Sequence, residues 1–306
     1  MIIKRLFHCR AQVNSKLNKL ISQLEQKYYK GNLESAKQEI KWLNEYIEIN
    51  KERGKTEKLE DLISRRVEQN EPLQYILGDQ PFGPLNILVK QPILIPRWET
   101  EAWTHEFANF LNQHLSKSPK NLKILEIGVG TGCISLLLSH LIIKGRANIL
   151  GIDINPAAIE LSLKNKSIHA KNYINNKVEF IQGDIFSDDF IKELVEKFGE
   201  IDLIVSNPPY IPPTQYSDLT PDVKQWEDKN ALTTRDSLGL EFYSRMLDLT
   251  KVKGLFNINS KLPKLVVEYG GNYQTEDLIK LVKSKGGEIE IKKDLVGNDR
   301  VGYITI

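Results

Sequence analysis

Cysteine is scarce in this chain: there are only two, Cys9 and Cys133, far apart and without a metal-type spacing. That excludes a disulfide framework and a cysteine zinc site, and a reducing compartment is the simplest setting. The five histidines, His8, His105, His114, His140 and His169, are scattered and form no ligand motif, so no metal is expected. Charge of one sign is also lacking, because 42 Lys and Arg face 40 Asp and Glu for a net of +2. No whole-molecule field therefore gathers nucleic acid, although a local patch stays compatible with such a balance. Apolar runs stay well short of the ~20 residues a membrane-crossing helix needs. There is no internal repeat and no low-complexity tract. What remains is 306 residues with 41% hydrophobic side chains, enough for one large domain and a smaller one.

The first acidic residue is Glu25, after Lys4, Arg5, Arg10, Lys16 and Lys19, with Ile2, Ile3, Leu6 and Phe7 among the early charges. Such a stretch is either a basic amphipathic presequence or the first helix of an N-terminal domain. Helical spacing follows in Leu17, Leu20, Ile21 and Leu24, then in Ile40, Leu43 and Ile47. After a polar stretch from Asn50 to Thr56 it resumes in Leu59, Leu62, Ile63 and Val67. This helical unit has no chemical signature of its own.

The texture changes near Pro72. Short apolar segments, Leu85–Val89 and Pro92–Ile95, predict a β-hairpin between two domains. Beyond it, apolar strands alternate with helical patterns. Strands are expected at Leu122–Ile127, Asn148–Asp153, Val178–Gln182, Ile201–Ser206, Leu265–Glu268, Glu288–Lys292 and Val301–Ile306, with helices from Cys133 and from Pro156. That alternation predicts an α/β fold, a mainly parallel sheet with helices on both faces.

Gly128-Val129-Gly130-Thr131-Gly132 follows the first of these strands and opens a helix. Glycines there let the backbone turn and approach a ligand, and the helix start offers unpaired N–H groups. The spacing differs from the GxGxxG of dinucleotide sites and looks like the GxGxG loop of S-adenosylmethionine enzymes. Asp153 ends the next strand, roughly twenty residues on, where a carboxylate can accept both ribose hydroxyls. An N-cap for the helix at Pro156 is the structural alternative. The third strand ends in Gly183-Asp184-Ile185-Phe186: Asp184 is a candidate for the adenine edge, and Ile185 or Phe186 for its face.

The fourth strand breaks into Asn207-Pro208-Pro209-Tyr210. Two prolines make a stiff corner that aims the Asn207 side chain and the Pro208 carbonyl into the crevice. An amide oxygen and a carbonyl can accept both hydrogens of one NH2 group, and Tyr210 can stack on a planar target. A plain strand terminator is the bland reading.

These motifs resemble the HemK or PrmC family, the N5-glutamine methyltransferases of class I peptide chain release factors, from about Leu33 to the C-terminus. The resemblance includes Glu71-Pro72-Leu73-Gln74-Tyr75-Ile76-Leu77-Gly78, Leu94-Ile95-Pro96-Arg97 with Thr100-Glu101, and the ending Asp294, Gly297, Asp299-Arg300-Val301. It implies a class I, Rossmann-like S-adenosylmethionine-dependent methyltransferase with a seven-stranded sheet, one strand antiparallel. A helical domain over residues 1–78 would dock the release factor, a hairpin linker would span 79–96, and the catalytic domain 97–306. S-adenosyl-L-methionine is the implied cofactor and a class I release factor the protein partner, with neither membrane nor nucleic acid expected to bind. Gly128, Val129, Gly130, Thr131, Gly132, Asp153, Asp184, Ile185 and Asn207 are then the cofactor residues, and Asn207 to Tyr210 the catalytic ones.

Trp98-Glu99 stands where bacterial members have Pro-Asp, and the run from Pro96 to Glu101 is similar to fungal mitochondrial members. That likeness turns the basic N-terminus toward a mitochondrial presequence. Asp228 replaces the usual proline after Glu227, and Thr233 to Ser237 stand where glycines usually precede Gly239-Leu240. Two other readings compete. Adenine or cytosine N-methylation of nucleic acid needs base flipping and a basic groove. A cofactor-binding scaffold without catalysis would not need the intact Asn-Pro-Pro-Tyr corner.

Overall fold

The computed structural model describes residues 15–54 and 56–306, which divide into two compact units. The first unit takes the chain up to Gly78 together with Pro221–Trp226, and the second takes Asp79–Thr220 and Glu227–Ile306. Of the basic N-terminal stretch, residues 1–14 lie outside the described residues.

In the first unit, α1 (residues 15–24) runs into a π-helical turn, Glu25–Tyr29, and the chain reverses at Lys30. Asn32 then caps α2 (Leu33–Glu52) by accepting the Ser35 N–H at 3.1 Å. Ile21, Leu24, Ala36, Ile40 and Leu43 bury against Leu62 and Ile63 of α3 (Leu59–Val67), with Leu73 and Ile76 of α4 (Leu73–Leu77) closing the core. The helical spacing of the apolar residues thus becomes one shared seam. Inside it, Arg66 Nε pairs with the buried Glu39 carboxylate at 3.0 Å, and its guanidinium lies 3.6 Å from the centre of the Tyr28 ring. Glu71 accepts two Arg65 donors at 2.7 and 2.8 Å, while its carbonyl accepts Arg66 at 3.1 Å. The motif from Glu71 to Gly78 is therefore a helix junction: an anchored carboxylate, a proline start and a left-handed glycine stop. The short helix α9 (Pro221–Trp226) belongs here too, through Trp226 Nε1 to the Gln69 carbonyl at 3.0 Å and Asn70 to Gln225 at 3.1 Å.

The second unit begins with a hairpin, β1 (Asp79–Phe82) against β2 (Leu85–Leu88). The hairpin therefore forms one segment earlier than Leu85–Val89 with Pro92–Ile95. The tight turn falls at Gly83, which has φ +60, and Pro84. Pro92 and Ile93 instead lie in a turn closed by Ile93 N–H on the Lys90 carbonyl, 2.9 Å, and residues 94–95 continue from it without strand pairing. Phe82, Leu85 and Ile87 enter the main core, and Asn165 and His169 bond the β2 backbone at 2.8–3.0 Å, so the hairpin is part of the catalytic unit.

Seven strands form the sheet: β3 (Leu122–Ile127), β4 (Ala147–Asp153), β5 (Lys177–Gln182), β6 (Leu203–Ser206), β7 (Leu265–Glu268), β8 (Glu288–Lys293) and β9 (Asp299–Thr305). Their order is β5-β4-β3-β6-β7-β9-β8, and β9 alone runs antiparallel to its neighbours. Both faces of the central strands are apolar, as burial on two sides requires. Leu122, Ile124, Ile149, Leu203 and Val205 pack under α5 (Trp98–Leu115) and α6 (Cys133–Leu141). Leu125, Ile127, Leu150, Ile152 and Ile204 pack under α8 (Asp188–Phe198), α10 (Glu241–Leu249) and α11 (Asn272–Ser284). The strand order reverses at β3, between β4 and β6, which opens a crevice beyond the carboxyl ends of the strands. Among the described residues no helix is long and apolar enough to cross a membrane, and no group of His, Cys, Asp and Glu could hold a metal ion.

Candidate active site

A cleft occupies that crevice, lined by Gly128 and Gly130 of the loop after β3, Asp153 at the end of β4, Asp184 and Ile185 after β5, and Asn207, Pro208 and Pro209 after β6. Gly130 has φ +54, a conformation that L side chains rarely adopt, and its N–H donates to Asp153 Oδ2 at 2.9 Å. Asp153 Oδ1 accepts the Asn155 N–H at 2.9 Å. Each oxygen keeps a lone pair for a ligand hydroxyl. Capping of the helix α7 (Pro156–His169) falls to Asn155, whose side chain accepts the Ala157 N–H at 2.9 Å. Burial pushes the Asp153 carboxyl above its usual range and Asp228 adds to this, while the Gly130 and Asn155 N–H groups pull it back.

Val129, Thr131 and Gly132 do not line the cleft. Val129 and Thr131 are buried, Thr131 lending its carbonyl to Asn165 at 2.9 Å, and Gly132 begins α6. Asp184 Oδ1 accepts the Phe186 N–H at 2.8 Å, which orders the turn after β5. Below the loop, Glu126 of β3 is buried against the start of α6, where its carboxylate accepts Ser135 N–H at 3.0 Å. Burial pushes its carboxyl up to about 8 against the pull of Ser135.

The corner after β6 is held where it leaves the strand. Ser206 Oγ donates to the Ile127 carbonyl at 2.7 Å. Asn207 Nδ2 donates to Thr100 Oγ1 at 3.2 Å, which turns the nitrogen toward Thr100 and leaves Oδ1 without a protein donor among the described residues and able to accept from a ligand. Thr100 in turn donates to Glu268 Oε2 at 2.7 Å, and Trp103 Nε1 donates to the same oxygen at 2.6 Å. Tyr210 is half-buried outside the cleft lining and packs toward the core on the β7 side. Burial, and then Glu268, push its phenol up.

A methyltransferase domain model matches residues 118–286. A release factor glutamine methyltransferase of Fusobacterium nucleatum is 35% identical over 80% of this chain and 62% of its own length. The probable MRF1 mitochondrial N(5)-glutamine methyltransferase of Schizosaccharomyces pombe is 32% identical over 88% of this chain and 87% of its own. The mitochondrial MRF1 N(5)-glutamine methyltransferase of Saccharomyces cerevisiae is 38% identical over 65% and 59%. The chain belongs to the release factor glutamine methyltransferase family.

Within this family framework several contributors are not visible from motif spacing. Asp228, Asn230 and Ala231, from the divergent segment after β6, line the cleft with Phe242, Ile93 and Leu94. Asp228 N–H donates to the Pro92 carbonyl at 2.8 Å, a bond the family's usual proline could not make, and its carboxylate receives Asn230 N–H at 2.9 Å. The departure from proline was the only sequence signal for this residue. Just before it, the buried Glu227 takes Arg97 Nη2 on both oxygens at 2.6 and 2.7 Å, tying the Pro96-Arg97 segment to this loop. The stretch without glycines is ordered instead by Asp236, which accepts Leu240 N–H at 2.9 Å and Glu241 N–H at 3.2 Å. Gly239 is required at its end: φ is +73, and a Cβ there would lie 2.1 Å from the Tyr210 carbonyl oxygen.

Proposed function

We propose that this family member transfers a methyl group from S-adenosyl-L-methionine to the side-chain amide nitrogen, N5, of the glutamine in the Gly-Gly-Gln motif of a mitochondrial class I peptide chain release factor. The residues fit the cofactor on structural grounds. A glycine loop with left-handed turns, a carboxylate with unused lone pairs and the apolar Ile93, Ile185 and Phe242 enclose one cleft, and the acidic side chains suit a cationic sulfonium. Asp153 would hold the ribose and Asp184 the adenine edge, with Ile185 on its face and the Gly128–Gly132 loop around the amino acid portion. When bound, this cofactor supplies an electrophilic methyl group.

The observation that carries the reading is the Asn207 amide, tied by its NH2 to Thr100 and left with its oxygen as an acceptor at the cleft. Together with the Pro208 carbonyl it offers two acceptors to one NH2 group. A glutamine amide held by both hydrogens has its nitrogen fixed in position, and proximity of this kind supplies much of the rate. Two acceptors also draw electron density toward nitrogen, and the proton released on methylation passes to solvent. The helical unit, without chemistry of its own, would dock the release factor.

Similarity to the two yeast mitochondrial proteins supports the compartment. A presequence would be confined to the first residues, since Ile21 and Leu24 already belong to the helical core. Radiolabel transfer to a release factor, compared with duplex DNA and with RNA, tests the function. Label on the glutamine alone supports it; label on nucleic acid favours the adenine or cytosine reading.

A further inference from the structure

We infer that Glu268 and Thr100 act as positioning residues that lock the Asn207 side-chain amide in one of its two orientations, and that this lock sets the preference for a glutamine amide over a carboxylate. The inference rests on the proposed function. Trp103 Nε1 can only donate, so Glu268 Oε2 accepts from it at 2.6 Å. The same oxygen lies 2.7 Å from Thr100 Oγ1, whose single hydrogen is directed to it. Thr100 Oγ1 is then left with lone pairs only and can bond Asn207, at 3.2 Å, solely as an acceptor. The Asn207 atom facing Thr100 must therefore be the NH2 nitrogen, and Oδ1 is the atom offered to the cleft.

Thr100 and Glu268 are each 2% exposed, so water cannot stand in as the missing partner for a flipped amide. A flip would set Oδ1 against lone pairs and leave buried groups unpaired. The locked orientation turns the NH2 toward Thr100 and directs Oδ1, beside the Pro208 carbonyl, at the target, an arrangement that suits an NH2 group and repels a carboxylate. An Asn207 released from the lock can turn its NH2 into the cleft and donate to a carboxylate. Thr100 at the start of α5 and Glu268 at the end of β7 also join helix to sheet. A purely structural role would change stability but leave the preference for glutamine intact.

The test uses the full chain and its Thr100→Val and Thr100→Ser variants, with release-factor peptides carrying Gln or Glu at the target position. S-adenosylhomocysteine titration serves as the fold control. Thr100→Val should keep cofactor affinity, lose ~100-fold in kcat/KM on the Gln peptide, as misplaced groups do, and let the Glu peptide inhibit about as well as the Gln peptide binds. Thr100→Ser, which restores the hydroxyl, should return both values to within about threefold of wild type. If Thr100→Val disturbs cofactor binding, Thr100→Ala, too small to crowd the site, must show the same loss of Gln-over-Glu preference. An active wild type whose Val and Ala variants keep that preference overturns the lock alone. A wild type that never methylates the glutamine overturns the function and the lock with it.

Discussion

Asp153→Ala should weaken cofactor binding by about two orders of magnitude while the sheet stays folded. In the proposed complex the carboxylate accepts two ribose hydroxyls, and a hydrogen bond to a charged group is worth about 1.5–3 kcal/mol. Two would give about 3–6 kcal/mol, but burial already opposes ionisation of Asp153, which argues for the lower end. About 3 kcal/mol corresponds to roughly 100- to 200-fold in Kd. The substitution also strips partners from the Gly130 and Asn155 N–H groups, each 2.9 Å from a carboxylate oxygen. Some stability should therefore be lost as the loop loosens. Asp153→Asn separates the two effects. It keeps one acceptor oxygen but sets an NH2 against one of those N–H donors, so it should bind with intermediate affinity. Calorimetric titration with S-adenosylhomocysteine, run beside thermal unfolding, reads both quantities. A lower melting temperature with unchanged Kd would show that Asp153 is only a brace for the glycine loop, and the ribose assignment would be wrong.

Three further outcomes follow from other parts of the molecule. Glu126 is held protonated above the usual carboxylate range, so the folded chain keeps a proton that the unfolded chain releases. Its stabilising contribution is full below about pH 4.5 and is lost toward pH 8, at up to ~1.4 kcal/mol per pH unit. Glu126→Gln should flatten that dependence in denaturant titrations from pH 5 to pH 8, and parallel curves would sink the idea. Glu227→Ala removes a buried carboxylate from a partly exposed arginine, so it should cost only about 1–2 kcal/mol but weaken cofactor binding severalfold by freeing Asp228; unchanged affinity would detach Asp228 from the cofactor. Finally, a reporter fused to Met1–Leu24 should enter mitochondria, and a cytosolic reporter would refute the presequence.

The sheet was legible because its strands are short, the central ones are apolar on both faces, and helical patterns space them, so that Leu122–Ile127 and Leu265–Glu268 form with the expected bounds. The hairpin was mispaired because Val89, Ile93 and Ile95 are apolar for another reason, packing into the catalytic unit without pairing as strands. The short helix Pro221–Trp226 has too few residues to show a period, and its place in the helical unit depends on Trp226 and Gln225 bonds to residues more than a hundred positions away. The same distance hid the partners of Asn207. A rigid Asn-Pro-Pro corner tells where the amide stands, but an amide has two ends of nearly equal size and the peptide chain does not choose between them. That choice belongs to Thr100, 107 positions earlier, and to Glu268, 168 positions beyond Thr100. Thr100 stood in the motif that follows Pro96-Arg97 but without a role, Glu268 stood in none, and only the fold brings α5 and β7 to the same corner. On the proposed lock, specificity in this site is a tertiary property laid over a local motif. The same four residues on a scaffold without the Glu268 carboxylate would present an amide free to rotate, and a pocket equally ready for a donor or an acceptor.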